Sequence, residues 1–193
     1  MRFVHLCRSL ALLMVLLAPG AMAGDTGIDA LRQGGLVVLI RHAATEPGLG
    51  DPPGYSLDDC ASQRNLSEAG RAQSRALGAW FREHGIPVGE VRSSQWCRCL
   101  DTATLAFAQT HAITPWPALN SFFDARASEP HATAEALAAL ATPVDGNRVW
   151  VTHQVNITAL TGVFPAMGEM VIMRPVRGEA GFRLEPVGRL RPD

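Results

Sequence analysis

The sequence predicts a single α/β domain, a three-layer sandwich in which helices cover both faces of a largely parallel sheet. Two observations carry that expectation. Strand-like and helix-like segments alternate along the chain, and the first strand, Leu36 to Ile40, is a continuous apolar run of the kind buried on both faces. A third is size: residues 24–193 suffice for one domain with a hydrophobic core, and nothing in them repeats or forms a long linker.

The elements follow in order. Arg2 and Arg8 flank the start of an apolar stretch, Leu10 to Ala18, that is followed by Ala21-Met22-Ala23. This is the pattern of a secretory signal over 1–23, too short for a membrane span, so the mature domain is expected at 24–193, periplasmic or secreted, without stable membrane insertion. After the Leu36–Ile40 strand, Ser67 to His84 places Ala69, Ala72, Ala76, Leu77 and Trp80 at helical spacing, and Gly85 and Pro87 stop it. Val88 to Arg92 is a short strand. Trp96 to Gln109 is helical through Leu100, Ala103 and Phe107. Pro130 opens an alanine-rich helix to Ala141, Arg148 to Thr152 is a strand, and Met170 to Arg174 with Phe182 to Val187 is a closing hairpin. The stretches from Thr45 to Asn65 and from Trp116 to Pro130 are rich in Gly, Pro, Asp and Ser and are expected as loops.

Composition excludes several chemistries. All seventeen basic residues are arginine, so a phosphate-loop lysine, a Schiff-base lysine and a lysine general base are ruled out. Loss of Arg2 and Arg8 takes the formal charge from −1 to −3, which gives no electrostatic case for nucleic acid. Any anion site must be local and built from arginine, whose planar fork suits phosphate. Cys60, Cys97 and Cys99 remain after the signal. Their spacing is a poor zinc pattern and, in an oxidising compartment, reads as one disulfide and one leftover thiol.

Polar clusters fall at the ends of three strands: Arg41-His42, then Ser93-Ser94 with Arg98, then Thr152-His153. Open α/β sheets bind ligands at the carboxyl ends of their strands, so the three are expected to converge on one site. RHAAT at Arg41 to Thr45, NLSEAGRAQ at Asn65 to Gln73, SSQWCRCLDTA at Ser93 to Ala103 and VTH at Val151 to His153 together resemble the histidine phosphatase superfamily, the phosphoglycerate mutase-like and acid phosphatase group. Within it the chain is most similar to small exported bacterial phosphatases that lack an inserted cap domain.

The resemblance implies a metal-independent phosphomonoesterase that needs no cofactor and acts on a small phosphate ester. It implies that His42 is the nucleophile and forms a phosphohistidine that water hydrolyses. Arg41, Arg98 and His153 match the phosphate pocket, with hydroxyl contacts from Thr45 and Ser94. The general acid of the family lies in the loop after the arginine-bearing helix, where Asp124 stands; Glu129 and Glu46 are the alternatives, because the usual glutamate is not evident. Gln154-Val155 replaces the small residues that follow the second histidine in many relatives. Gln73 falls in a segment that packs near the site in the family. Cys60 is expected to bond to Cys97, or to Cys99, since residues flanking Arg98 on a helix point about 100° away from it. The rival reading is a phosphate- or phosphoglycan-binding module on the same fold, without turnover.

Overall fold

The computed structural model describes residues 25–192. The export signal read at 1–23 lies outside them. Six strands form one sheet in the order β3-β2-β4-β1-β5-β6. They are β1 (Val37–Arg41), β2 (Val88–Ser93), β3 (Ile113–Pro115), β4 (Asn147–Thr152), β5 (Met170–Gly178) and β6 (Gly181–Leu190). The first four in space are parallel; β5 runs antiparallel to β1, and β6 antiparallel to β5 as a hairpin.

Two apolar layers sandwich the sheet. Val38, Ile40, Val91, Val149 and Val151 point to one face, where they meet α2 (Glu68–Glu83), α3 (Cys97–Phe107) and residues of α1 (Asp25–Gln33). Val37, Leu39, Trp150, Val171 and Met173 point to the other, beneath α4 (Glu129–Ala138) and α5 (Gln154–Thr161). The period-two alternation of Val37, Val38, Leu39 and Ile40 thus feeds both layers, which is why the strand needs apolar residues at every position.

The expected helix boundaries of α2 hold to the residue that caps it. The Ser67 hydroxyl accepts from the Gly70 backbone N–H, and His84 closes the last turn. Three elements escape the sequence reading. The QVNITALT stretch of α5 is rich in β-branched residues and has low intrinsic helix propensity. Burial of Val155, Asn156 and Ile157 makes it helical nonetheless. The strand β3 is three residues ending in proline, tolerable because it lies at the sheet edge. The third, α1, packs Leu31 beneath the first layer. Among the described residues no helix is long and apolar enough to cross a membrane.

Candidate active site

Parallel pairing brings the three polar clusters together. Arg41 sits opposite Thr152, and Ser93 opposite Val151, so β1, β2 and β4 end at one edge. The chain then turns at His42, Ser94 and His153, with the His42 N–H donating to the Thr152 carbonyl at 3.0 Å and the Ser94 N–H to the Val151 carbonyl at 2.9 Å. The two imidazole centroids lie 5.5 Å apart. Both rings, with Arg41 and Arg98, line one cavity of about 680 Å³.

His42 is held as a neutral imidazole with one ring nitrogen free. Its Nδ1 lies 2.9 Å from the Ala43 carbonyl, an acceptor only, so Nδ1 carries the proton and Nε2 the lone pair. Burial pushes its pKa down to about 3; the bond to Ala43 acts the other way, and the charges of Arg98, Arg41 and Arg64 depress it further. The following loop is pinned from three sides. The Ala43 N–H donates to Thr102 Oγ1 at 3.1 Å and the Ala44 N–H to Gln73 Oε1 at 3.1 Å, while Gln73 Nε2 donates to the Met167 carbonyl. Gly70 presses against the Ala44 carbonyl, which a Cβ at that position would overlap. The expected role of Gln73 near the site is therefore to brace the nucleophile loop.

The arginines are held with donors to spare. Arg98 gives both terminal nitrogens to Asp51, at 2.7 and 3.1 Å, and each of the two side chains is only 5% exposed. Asp51 also accepts from the Arg64 backbone N–H and from Trp96 Nε1, each at 3.0 Å. Burial alone would raise the Asp51 carboxyl, but the hydrogen bonds from Arg98 and from the Arg64 backbone, with the Arg98 charge and Trp96, hold it below the usual range. Arg41 donates from Nη1 to the Pro165 carbonyl at 2.9 Å. Among the described residues, the buried side-chain donors left without a partner are the Nε groups of Arg41 and Arg98. Both arginines line the cavity, and fixed cations beside a neutral imidazole suit an anionic ligand.

His153 is also kept neutral, chiefly by burial and then by His42 and the three arginines. Its Nε2 lies 2.8 Å from Ser94 Oγ. The single Ser94 hydroxyl hydrogen is shared between Asn120 Oδ1 at 3.3 Å and this nearer nitrogen; when it goes to His153, the imidazole proton sits on Nδ1 and His153 is a neutral donor beside His42. Cys99, 3.5 Å from the same Nε2, is fully buried, and burial raises its thiol to about 12, which leaves it inert.

Not every expected residue reaches the cavity. Thr45 does not line it, because its hydroxyl accepts from Arg64 Nη1 at 2.6 Å and serves to hold the loop. Of the three carboxylates considered as general acid, Asp124 and Glu129 line the cavity, whereas Glu46 lines an adjoining depression that shares Leu49, Gly50, Asp51 and Arg64 with it. Two residues that the sequence reading missed belong to the site: Asp51, from a Gly- and Pro-rich loop read only as a connection, and Arg64. Arg64 just ahead of the α2 cap was the available signal; its guanidinium also bonds the Gly50 and Gly48 carbonyls. Among the described residues, no three His, Cys, Asp or Glu side chains gather as a metal site.

Cys60 is bonded to Cys97, with Cα atoms 5.7 Å apart, and Cys99 is free. The bridge ties the end of the loop that carries Asp51 to the first residue of α3, one position before Arg98. Closing a loop across a separation of 37 residues restricts the unfolded chain. Reduction is therefore expected to cost about 2–4 kcal/mol. Urea unfolding with and without reductant measures it, and activity should fall with stability as the Asp51–Arg98 pair loosens.

Comparison with known proteins follows the same lines. The family model described as histidine phosphatase superfamily (branch 1) matches residues 37–136. No curated protein matches the chain in sequence. The fold is similar to that of the protein histidine phosphatase SixA complexed with tungstate, at 14% identity and TM-score 0.53, over 81% of this chain and 97% of that one. It is similar to mycobacterial glucosyl-3-phosphoglycerate phosphatase Rv2419c in complex with inorganic phosphate, at 16% identity and TM-score 0.58, over 78% and 94% of the two chains. A phosphoserine phosphatase from Entamoeba histolytica also matches, at 16% identity and TM-score 0.53, over 77% of this chain and 94% of that one. Identities this low establish the fold alone.

Proposed function

The chain belongs to the histidine phosphatase superfamily, branch 1, and on that footing we propose that it is a phosphomonoesterase that hydrolyses small phosphate esters through a phosphohistidine, without a metal ion, outside the cytoplasm. The observation that carries the reading is that the guanidinium residues Arg41 and Arg98 line one cavity with a neutral His42. Attack by His42 Nε2 on phosphorus forms the N–P bond and breaks the ester P–O bond. The charge on the transferring oxygens is met by Arg41, Arg98 and the His153 donor, fixed in advance. A carboxyl group gives its proton to the leaving oxygen; as carboxylate it then takes a proton from the water that cleaves the N–P bond and releases phosphate. What supports export is the signal-like start of the sequence and the Cys60–Cys97 disulfide.

Asp51 does not suit the role of acid, being held ionised by Arg98. Asp124, exposed on the cavity wall, does. Asp124→Asn is expected to cut hydrolysis of sugar phosphates on the order of 10²–10⁴-fold and of p-nitrophenyl phosphate far less, since that phenolate leaves unaided. Equal losses on both substrates would move the role to Glu129. A phosphate-binding module without turnover is the second reading, favoured by the fact that the most firmly bonded carboxylate here is no proton donor. Assay of the purified protein on p-nitrophenyl phosphate from acid to neutral pH, with and without chelator, separates the two; turnover unaffected by chelator is expected.

A further inference from the structure

We propose that the leaving group of the substrate is apolar: the protein acts on the phosphomonoester of a hydrophobic alcohol, whose carbon chain runs from His42 to a rim formed by Leu49, Phe123 and Phe164. The inference rests on the reading of the cavity as a phosphomonoesterase site and adds the class of substrate.

Among the described residues, the large apolar side chains exposed to solvent are Leu49 at 88%, Phe123 at 41% and Phe164 at 67%. One exposed leucine or phenylalanine is ordinary on a protein surface. These three come from three different segments: the loop after β1, the loop before α4, and the turn between α5 and β5. Yet all three line the cavity that holds His42. Gly48 and Gly50, at φ +139° and +70°, flank Leu49 and fix the backbone around it in a conformation that other residues rarely adopt. Convergence of exposed apolar groups on the mouth of one concave site is the mark of a ligand surface.

The charges agree with that assignment. Arg41, Arg64 and Arg98 are committed to Pro165, to the 45–50 loop and to Asp51. The remaining cation of the lining, Arg126, lies with its guanidinium carbon 5.7 Å from the Phe123 ring centre and shares the wall with Asp124 and Glu129. With the reacting phosphate matched by Arg41 and Arg64, and Arg98 paired with Asp51, no surplus positive charge is left to receive a carboxylate or a second phosphate on the leaving group. A volume of about 680 Å³ is also far more than a phosphate fills.

The test is a series of n-alkyl phosphates from ethyl to octyl, below their micellar concentrations, with glycerol 3-phosphate as the polar comparator. Specificity, kcat/KM, is expected to rise about two- to fourfold per methylene until the chain passes the rim, and to exceed that of glycerol 3-phosphate from butyl onward. The slope should collapse in the double variant Leu49→Ser, Phe164→Ser. A flat series, or a preference for glycerol 3-phosphate, would overturn the apolar assignment while leaving the phosphatase intact. Should no ester turn over, the hydrolytic reading fails instead, and calorimetric binding of the same series decides the apolar rim separately: affinity rising with chain length upholds it and affinity independent of length rejects it.

Discussion

His42→Ala is expected to lower kcat/KM on the order of 10⁴-fold or more, leaving only what the arginines contribute to binding. The imidazole sits past the last residue of β1, so its removal strips the nucleophile without cutting into either apolar layer. In the parent protein, brief reaction followed by an alkaline quench should leave phosphate on the peptide that contains His42, because phosphohistidine survives base and is lost in acid. Label on a serine peptide would remove His42 from the mechanism. The pH dependence separates the same alternatives. With its pKa pushed down to about 3, His42 stays unprotonated throughout the neutral and mildly acid range. The unfolded chain takes up that proton near 6.5 and the folded chain only near 3, so His42 makes the protein less stable as pH falls through this window. Activity is not expected to titrate at 6.5 on account of the nucleophile.

Arg98→Lys keeps the charge and loses the fork. One ammonium cannot bridge both oxygens of Asp51 and also present a planar donor array, so the expected loss of kcat/KM is about 2–4 kcal/mol, roughly thirty- to several-hundredfold. Asp51→Ala is the companion. It leaves Arg98 buried without its partner, which is expected to destabilise the protein by about 3–5 kcal/mol. Inorganic phosphate should restore much of that stability by taking the vacated nitrogens, as measured by urea unfolding. Arg98→Lys with activity within a few-fold of the parent would place the guanidinium outside the reacting group.

The parts of the site that were legible in the sequence are those set by local pattern. Leu36 to Ile40 had to be a buried strand, so Arg41 and His42 had to emerge at its end, and the helical spacing from Ser67, with Gly85 and Pro87 as stop signals, marked the limits of α2. What escaped depends on long-range pairing. Asp51 owes its role to an arginine 47 positions later, and within its own neighbourhood it is one more turn residue between Gly50 and Pro52. Thr45 reads as a phosphate contact from its motif alone, and its hydroxyl oxygen instead accepts from Arg64, outside the cavity lining. Glu46 adjoins His42 in sequence and lines the neighbouring depression, on the far side of the 49–51 stretch and Arg64 that the two share. The helix α5 was hidden for the opposite reason: its local propensity is poor, and only packing against the second layer decides it.

The carboxylate of Asp51 also sets the ionic balance of the cavity. Beside the two neutral imidazoles Arg41, Arg64 and Arg98 bring three positive charges and Asp51 cancels one, leaving two there, with Arg126, Asp124 and Glu129 elsewhere in the lining. That surplus equals the charge of a fully ionised phosphomonoester. A phosphodiester, with a single negative charge, would leave one guanidinium uncompensated away from water, and discrimination against diesters would then need no steric barrier. The same balance is upset when the monoester takes up its second proton near pH ~6. The acid limb of turnover would in that case belong to the ester, with the His42 and His153 imidazoles still neutral.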